Sequence, residues 1–167
     1  MFPSRESDNE GFVDVEDVDA TSRKAATTPP ASTPAVRRRM QATRHKDTRP
    51  ELELRRVLHA RGLRYRTEIA LPFLPRRRID IVFPKAKLAV LVHGCFWHSC
   101  PEHGTVAKAN SQYWTDKLAA NRERDQDTER KLARAGWTLL TCWEHEQAEA
   151  AADRVARALS EIDPQNS

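Results

Sequence analysis

Two short β-rich runs, RIDIVF from Arg78 to Phe83 and LAVLV from Leu88 to Val92, are separated only by the tetrapeptide PKAK. A proline-led connection of this length reads as a hairpin turn, so the two runs are predicted to pair as neighbouring antiparallel strands. That pairing puts a sheet in the interior and brings Asp80, inside the first run, close to the end of the second. An acid there interrupts a strand that otherwise needs apolar side chains, and a buried carboxylate without a partner costs several kcal/mol. Either a divalent metal or a basic neighbour such as Arg78 would compensate it.

The rest of the chain supplies what covers such a sheet. In DTRPELELRRVLHARG, Thr48 and Glu51 have capping-box spacing and Pro50 falls in the first turn, where a missing amide is harmless. Leu54, Val57 and Leu58 recur at helical spacing and Gly62 suits the stop. LRYRTEIAL alternates as a strand does; Ser111 to Ala135 is helical in pattern and closed by Gly136; WTLLTCW is a further strand. AEAAADRVARALSEI is an amphipathic helix with Val155, Leu159 and Ile162 on one face. The order helix, three strands, helix, strand, helix predicts an α/β domain with a mixed central sheet flanked by helices. A length of 167 residues suits one such domain.

Charge divides the chain. Residues 1–36 carry seven acidic side chains against Arg5, Arg23 and Lys24, a net of −4, and because the whole chain is +4 the remainder is +8. The first segment ends in TTPPASTPAV and has little periodic apolar content, so 1–36 is predicted to be a disordered acidic, proline-rich tail and 37–167 the folded domain. A basic domain suits a polyanionic partner, although a solvated charged surface explains charge alone at least as well. No apolar run approaches the ~20 residues of a membrane span, and the N-terminus lacks the basic-then-apolar order of a secretory signal. A cytoplasmic setting is expected, and three cysteines there imply thiols or metal ligands instead of disulfides.

The chemistry concentrates in VHGCFWHSCPEH, Val92 to His103, which begins where the strand LAVLV ends. Cys95, Cys100 and His103 can wrap one tetrahedral zinc but need a fourth donor. His145 and Cys142 both qualify; strand alternation makes Cys142 the better small core residue, which favours His145. His93 and His98 lie in the same corner as Asp80, giving a carboxylate and two general bases together.

Those residues carry a resemblance. HGCFWHSCPEH, with RIDIVF before it and YWTDKLAANRERD and AGWTLLTCWEHE after it, resembles the Vsr family of very short patch mismatch endonucleases, in collinear order from about residue 37 to 146. The resemblance implies a restriction-endonuclease-like α/β core with a structural zinc site. It also implies Mg²⁺-dependent nicking of DNA on the 5′ side of the thymine in a thymine–guanine mismatch, the lesion left when 5-methylcytosine deaminates. Carried over by position, Asp80 would hold Mg²⁺ with the backbone carbonyl of Val92, where relatives can have Thr. His98 would activate the attacking water, with His93 a second active-site histidine, Glu51 a carboxylate near the metal waters and Asp125 an orienter of a histidine. Cys95, Cys100, His103 and His145 would hold Zn²⁺. Phe96, Trp97 and Trp114 would wedge into the base stack from the major groove and Met40 from the minor groove, with Arg37, Arg38 and Arg39 on phosphates. A core role is the lesser alternative for Trp114 and Met40, whereas Trp137 and Trp143, set in a strand, are read as core. The family also implies a monomer associated with the nucleoid, a MutL-type repair partner and a cytosine methyltransferase companion.

Two other functions fit part of the pattern. A nuclease without mismatch preference would share Asp80 and the fold but has no use for Phe96 and Trp97. A non-catalytic zinc DNA-binding module needs the zinc set but gives no reason for Asp80, His93 and His98 to stand together.

Overall fold

A computed structural model describes residues 46–105 and 109–162. The acidic tail, Arg37 to Arg39 and Met40 lie outside the described residues. The elements run α1 (Arg49–Ala60), β1 (Arg66–Leu71), β2 (Leu74–Phe83), β3 (Leu88–His93), α2 (Ser111–Arg134), β4 (Thr138–Trp143) and α3 (Ala148–Ile162). This is the element order the sequence predicts. The sheet runs β1-β2-β3-β4, antiparallel except for the parallel pair β3 and β4, so it is mixed. A parallel pair needs a long crossover, and α2 supplies it. Among the described residues no helix is long and apolar enough to cross a membrane.

Local chemistry accounts for the boundaries. Thr48 caps α1, its amide donating to Glu51 Oε2 at 3.3 Å, and Pro50 sits in the first turn. Gly62 takes φ +80, the left-handed turn that lets the Gly62 and Leu63 amides reach the carbonyls of His59 and Leu58. The PKAK turn closes as expected, with the Lys87 amide on the Pro84 carbonyl at 3.3 Å.

Apolar alternation along the strands splits the core in two. Val90, Leu88 and Cys142 face one way, against Leu54 and Leu58 of α1 and Ala151, Ala152 and Val155 of α3. Ala89 and Val82 face the other way, with Leu132 of α2. Two details depart from the sequence expectation. Ile162, placed on the buried face of the last helix, is 37% exposed at its end. Trp137 does pack against the second cluster, but Trp143 belongs to neither and instead stands edge-on to His93, with ring centroids 5.6 Å apart.

The β2–β3 ladder is what creates the site. Its pairs run from Phe83–Leu88 to Ile81–Val90, and there they stop. Two residues further along β3, the Val92 amide donates to the Asp80 carboxylate Oδ2 at 2.7 Å. Ile81 and Ile79, on either side of Asp80, enter opposite core clusters, so β2 turns away from β3 at this residue.

Candidate active site and metal centre

Three groups of ligating side chains gather at this end of the sheet. The first is acidic: Glu51 from α1, Glu68 from β1 and Asp80 from β2 bring carboxylate oxygens within 4.8 Å of one another. Glu51 is buried, with 3% of its surface exposed. The β1–β2 register sets Glu68 between the pairs Thr67–Ile81 and Ile69–Ile79, which is opposite Asp80. Burial pushes the Asp80 carboxyl up to about 6, partly offset by the Val92 amide and reinforced by Glu51 and Glu68. Glu51 is also raised, again by burial first, with Arg55 opposing. Carboxyls crowded in this way fit a hard cation with oxygen ligands, which would relieve both the burial and the repulsion.

The second group is His93, His98 and Asp125. The imidazoles of His93 and His98 stack at 3.8 Å and 11° between planes. His98 Nδ1 is 2.7 Å from Asp125 Oδ2 on α2, an arrangement in which Nδ1–H donates to the carboxylate, so that in the neutral ring Nε2 carries the lone pair. His93 is buried, and burial followed by the neighbouring His98 pulls it down to about 4, so it is neutral near pH 7.

Cys95, Cys100, His103 and His145 form the third group, with ligand atoms again within 4.8 Å. His145 Nδ1 is 3.1 Å from Cys95 Sγ and 3.8 Å from Cys100 Sγ. A tetrahedral zinc with bonds of roughly 2.3 Å to sulfur and 2.0–2.1 Å to nitrogen separates its donors by about 3.3–3.8 Å; the 3.8 Å pair lies in that range and the 3.1 Å pair just below it, so donor type and spacing together suit that ion. The other ring nitrogen of His145 faces Glu102 at 3.5 Å, which would orient the ring. Burial and Cys100 push the Cys95 thiol up to about 11; a cation would reverse this and favour the thiolate. Cys142 is 1% exposed inside the first core cluster. Tight turns shape the loop: the Cys100 amide reaches the Cys95 carbonyl at 2.9 Å, and any Cβ at Gly104 would come within 2.5 Å of the Cys100 carbonyl.

Beside these groups three half-buried rings form a patch outside both core clusters. Phe96 meets Trp97 and Trp114 at 5.3 Å each, and the two indoles lie 5.7 Å apart. Trp114 therefore joins the loop aromatics, although it comes from α2. Residues that the sequence did not single out hold this arrangement. Asn121 donates to the Trp97 carbonyl at 3.0 Å, one helical turn from Asp125. Glu144 accepts the Cys95 amide at 2.6 Å. Arg55 and Glu68 complete the acidic group, and only Arg55, four residues after Glu51, had a signal in its spacing.

The family model described as DNA mismatch endonuclease Vsr matches residues 31–102. The chain is 41% identical over 128 residues to the type II nicking enzyme V.NaeI of Lentzea aerocolonigenes, covering 75% of this chain and 77% of that protein. It is 43% identical over 128 residues to the type II nicking enzyme V.XorIIP of Xanthomonas oryzae pv. oryzae, covering 75% and 90%. Against the DNA mismatch endonuclease Vsr of Escherichia coli it is 33% identical over 108 residues, covering 63% and 66%. Two of these relatives are nicking enzymes by name and the third is a DNA mismatch endonuclease, and the acidic group of this chain offers three carboxylates to a cation. The chain belongs to the Vsr family of DNA mismatch endonucleases.

Proposed function

We propose that this protein is a Mg²⁺-dependent nicking endonuclease that cuts one strand on the 5′ side of the thymine in a thymine–guanine mismatch. The observation that carries the reading is that the Asp80 carboxylate is held by the Val92 amide, next in sequence to His93, whose ring stacks on the Asp125-bonded His98, while Phe96 and Trp97 of the same loop cluster with Trp114. The α/β core, read as restriction-endonuclease-like, sets these groups at one end of its sheet.

Asp80 and the Val92 carbonyl would hold Mg²⁺, with Glu51 close to its waters. Mg²⁺, when bound, withdraws charge from the scissile phosphate and acidifies water. His98 takes the proton of the attacking water at Nε2, while Asp125 keeps the proton on Nδ1 and stabilises the imidazolium that forms. His93, neutral and stacked on His98, can donate a hydrogen bond to a phosphate oxygen without adding charge.

Phe96, Trp97 and Trp114 would enter the base stack from the major groove. Unstacking is cheapest at a mismatch, and each aromatic contact returns about 1–3 kcal/mol. Zn²⁺ on Cys95, Cys100, His103 and His145 would stiffen the loop that carries Phe96 and Trp97, reducing the ordering entropy lost on binding. Incubation with Mg²⁺ and labelled duplexes, mismatched or matched, tests the reading. A single nick in the thymine strand of the mismatched duplex is expected, and equal cutting of the matched duplex would exclude it.

A further inference from the structure

The functional reading leaves Arg55 and Glu68 without a task, yet both are built into the acidic group. Arg55 follows Glu51 by one turn of α1 and its side chain is only 12% exposed. Its Nη1 donates to Asp47 Oδ1 at 2.7 Å; its Nη2 donates to the Glu51 carboxylate and to the main-chain carbonyl of Asp80 at 3.4 Å. Glu68 Oε1 lies 3.9 Å from the same Nη2. One guanidinium thus touches all three elements that contribute a carboxylate. Glu68 faces it from a left-handed backbone, φ +54, inside a strand, a conformation a non-glycine residue keeps only where its surroundings enforce it. Arg55 Nε, moreover, is buried with no hydrogen-bond partner among the described residues.

We propose that Arg55 is a positioning residue of the metal site: an internal counter-cation that aligns Glu51 and the Asp80 main chain, and that competes with the divalent ion for the same carboxylates. The proposal rests on the reading of Asp80 as the metal-binding carboxylate. Three carboxylates within 4.8 Å repel one another, and a fixed positive charge among them offsets that repulsion. The same charge opposes an arriving cation. A guanidinium suits both duties because its planar fork reaches several acceptors at once, which an ammonium cannot reproduce.

The test uses the zinc-loaded full chain without DNA, with Mn²⁺ affinity measured by titration calorimetry and Asp80→Asn as the reference for site-specific binding. Nicking of a mismatched duplex is followed in parallel. Arg55→Gln should bind Mn²⁺ tighter, on the order of tenfold, because a competing charge is gone. Its kcat should nevertheless fall about 10–100-fold, because the carboxylates lose alignment. Arg55→Lys, which keeps the charge but not the fork, should keep the parental Mn²⁺ affinity and still nick slowly; it carries the test should Arg55→Gln fail to fold. Unchanged or weaker Mn²⁺ binding in folded Arg55→Gln, or full kcat in Arg55→Lys, overturns the proposal. Mn²⁺ binding that survives Asp80→Asn overturns it together with the metal assignment. If the Mn²⁺ pattern appears but the parent protein nicks no mismatched duplex, the functional reading fails while the Arg55 assignment stands.

Discussion

The acidic group and the cysteine–histidine group lie at the same end of the sheet but are constructed in opposite ways. Glu51, Glu68 and Asp80 come from α1, β1 and β2, elements already tied together by ladders and core packing, and they share an internal cation in Arg55. Cys95, Cys100 and His103 come from one loop that follows β3, with only His145 arriving from elsewhere. The acidic group therefore keeps its shape through the fold, whatever ion it holds. In the loop, local turns and the Glu144 carboxylate hold the backbone, but among the described residues nothing of comparable strength brings the two thiols and two imidazoles together. A metal at the first site is expected to serve chemistry, and one at the second to serve structure.

The sharpest way to break that contrast is to remove one ligand from each side. Asp80→Ala should abolish nicking in Mg²⁺ while zinc content, melting temperature and mismatch binding stay close to the parent. Cys95→Ala or His103→Ala should lose zinc and destabilise the loop, since zinc sites in small domains contribute on the order of 10–16 kcal/mol. Zinc stoichiometry, melting temperature and nicking rate, measured on both variants, check this. Normal cutting by Asp80→Ala would remove the acidic group from catalysis, and a zinc-free Cys95→Ala with unchanged melting would remove the structural role of the loop.

The aromatic patch sharpens the contrast, because Phe96 and Trp97 sit on the loop yet are proposed to serve recognition. Replacing Phe96 and Trp97 together with alanine should forfeit about 2–6 kcal/mol by the per-base stacking estimate, and the loss should fall on mismatched over matched binding. Contacts of Lys and Arg to phosphate should retain non-specific binding and its salt dependence. Rings that belonged to the core would instead take the fold or the zinc with them. A folded, zinc-loaded double variant with an unchanged affinity ratio would rule out the wedge.

The two regions were not equally legible in the sequence. The loop announced itself because its ligands are close in sequence and chemically rare; C-x4-C-x2-H can be read without any fold. Asp80 was legible as an acid in an apolar run, and its place beside the end of β3, where its carboxylate meets the Val92 amide, followed from one hairpin. Glu68 was invisible: in LRYRTEIAL it looks like the polar member of an alternating strand, and only the register opposite Asp80 and its positive φ turn it inward. Arg55 was hidden among the arginines of ELELRRVLHARG for a related reason. Helical spacing can pair it with Glu51, but contact with the Asp80 carbonyl, 25 residues away, depends on how α1 packs over the sheet. Trp143 was misread as core because a tryptophan in a strand usually is, and here the strand ends where the site begins.

The smallest effect concerns proton linkage, and it pits the two buried titratable groups of the site against each other. Asp80 is raised from 3.8 to about 6, so between these values the folded protein keeps a proton that the unfolded chain has released, and stability falls as pH rises. His93 is lowered from 6.5 to about 4, so in nearly the same window the unfolded chain binds a proton that the folded protein refuses, and stability rises with pH. In the parent the two slopes oppose and largely cancel. Asp80→Asn removes the falling slope, while its amide oxygen can still accept from Val92. Its melting temperature relative to the parent should therefore climb from pH 4 to 6.5 in Mg²⁺-free buffer. His93→Gln should do the reverse, its melting temperature relative to the parent declining over the same range. Taking differences from the parent at each pH removes contributions common to both, including acid loss of zinc from the loop. Two flat difference profiles would mean that Asp80 and His93 titrate near their ordinary values, and that the end of β3 is wetter than its burial implies.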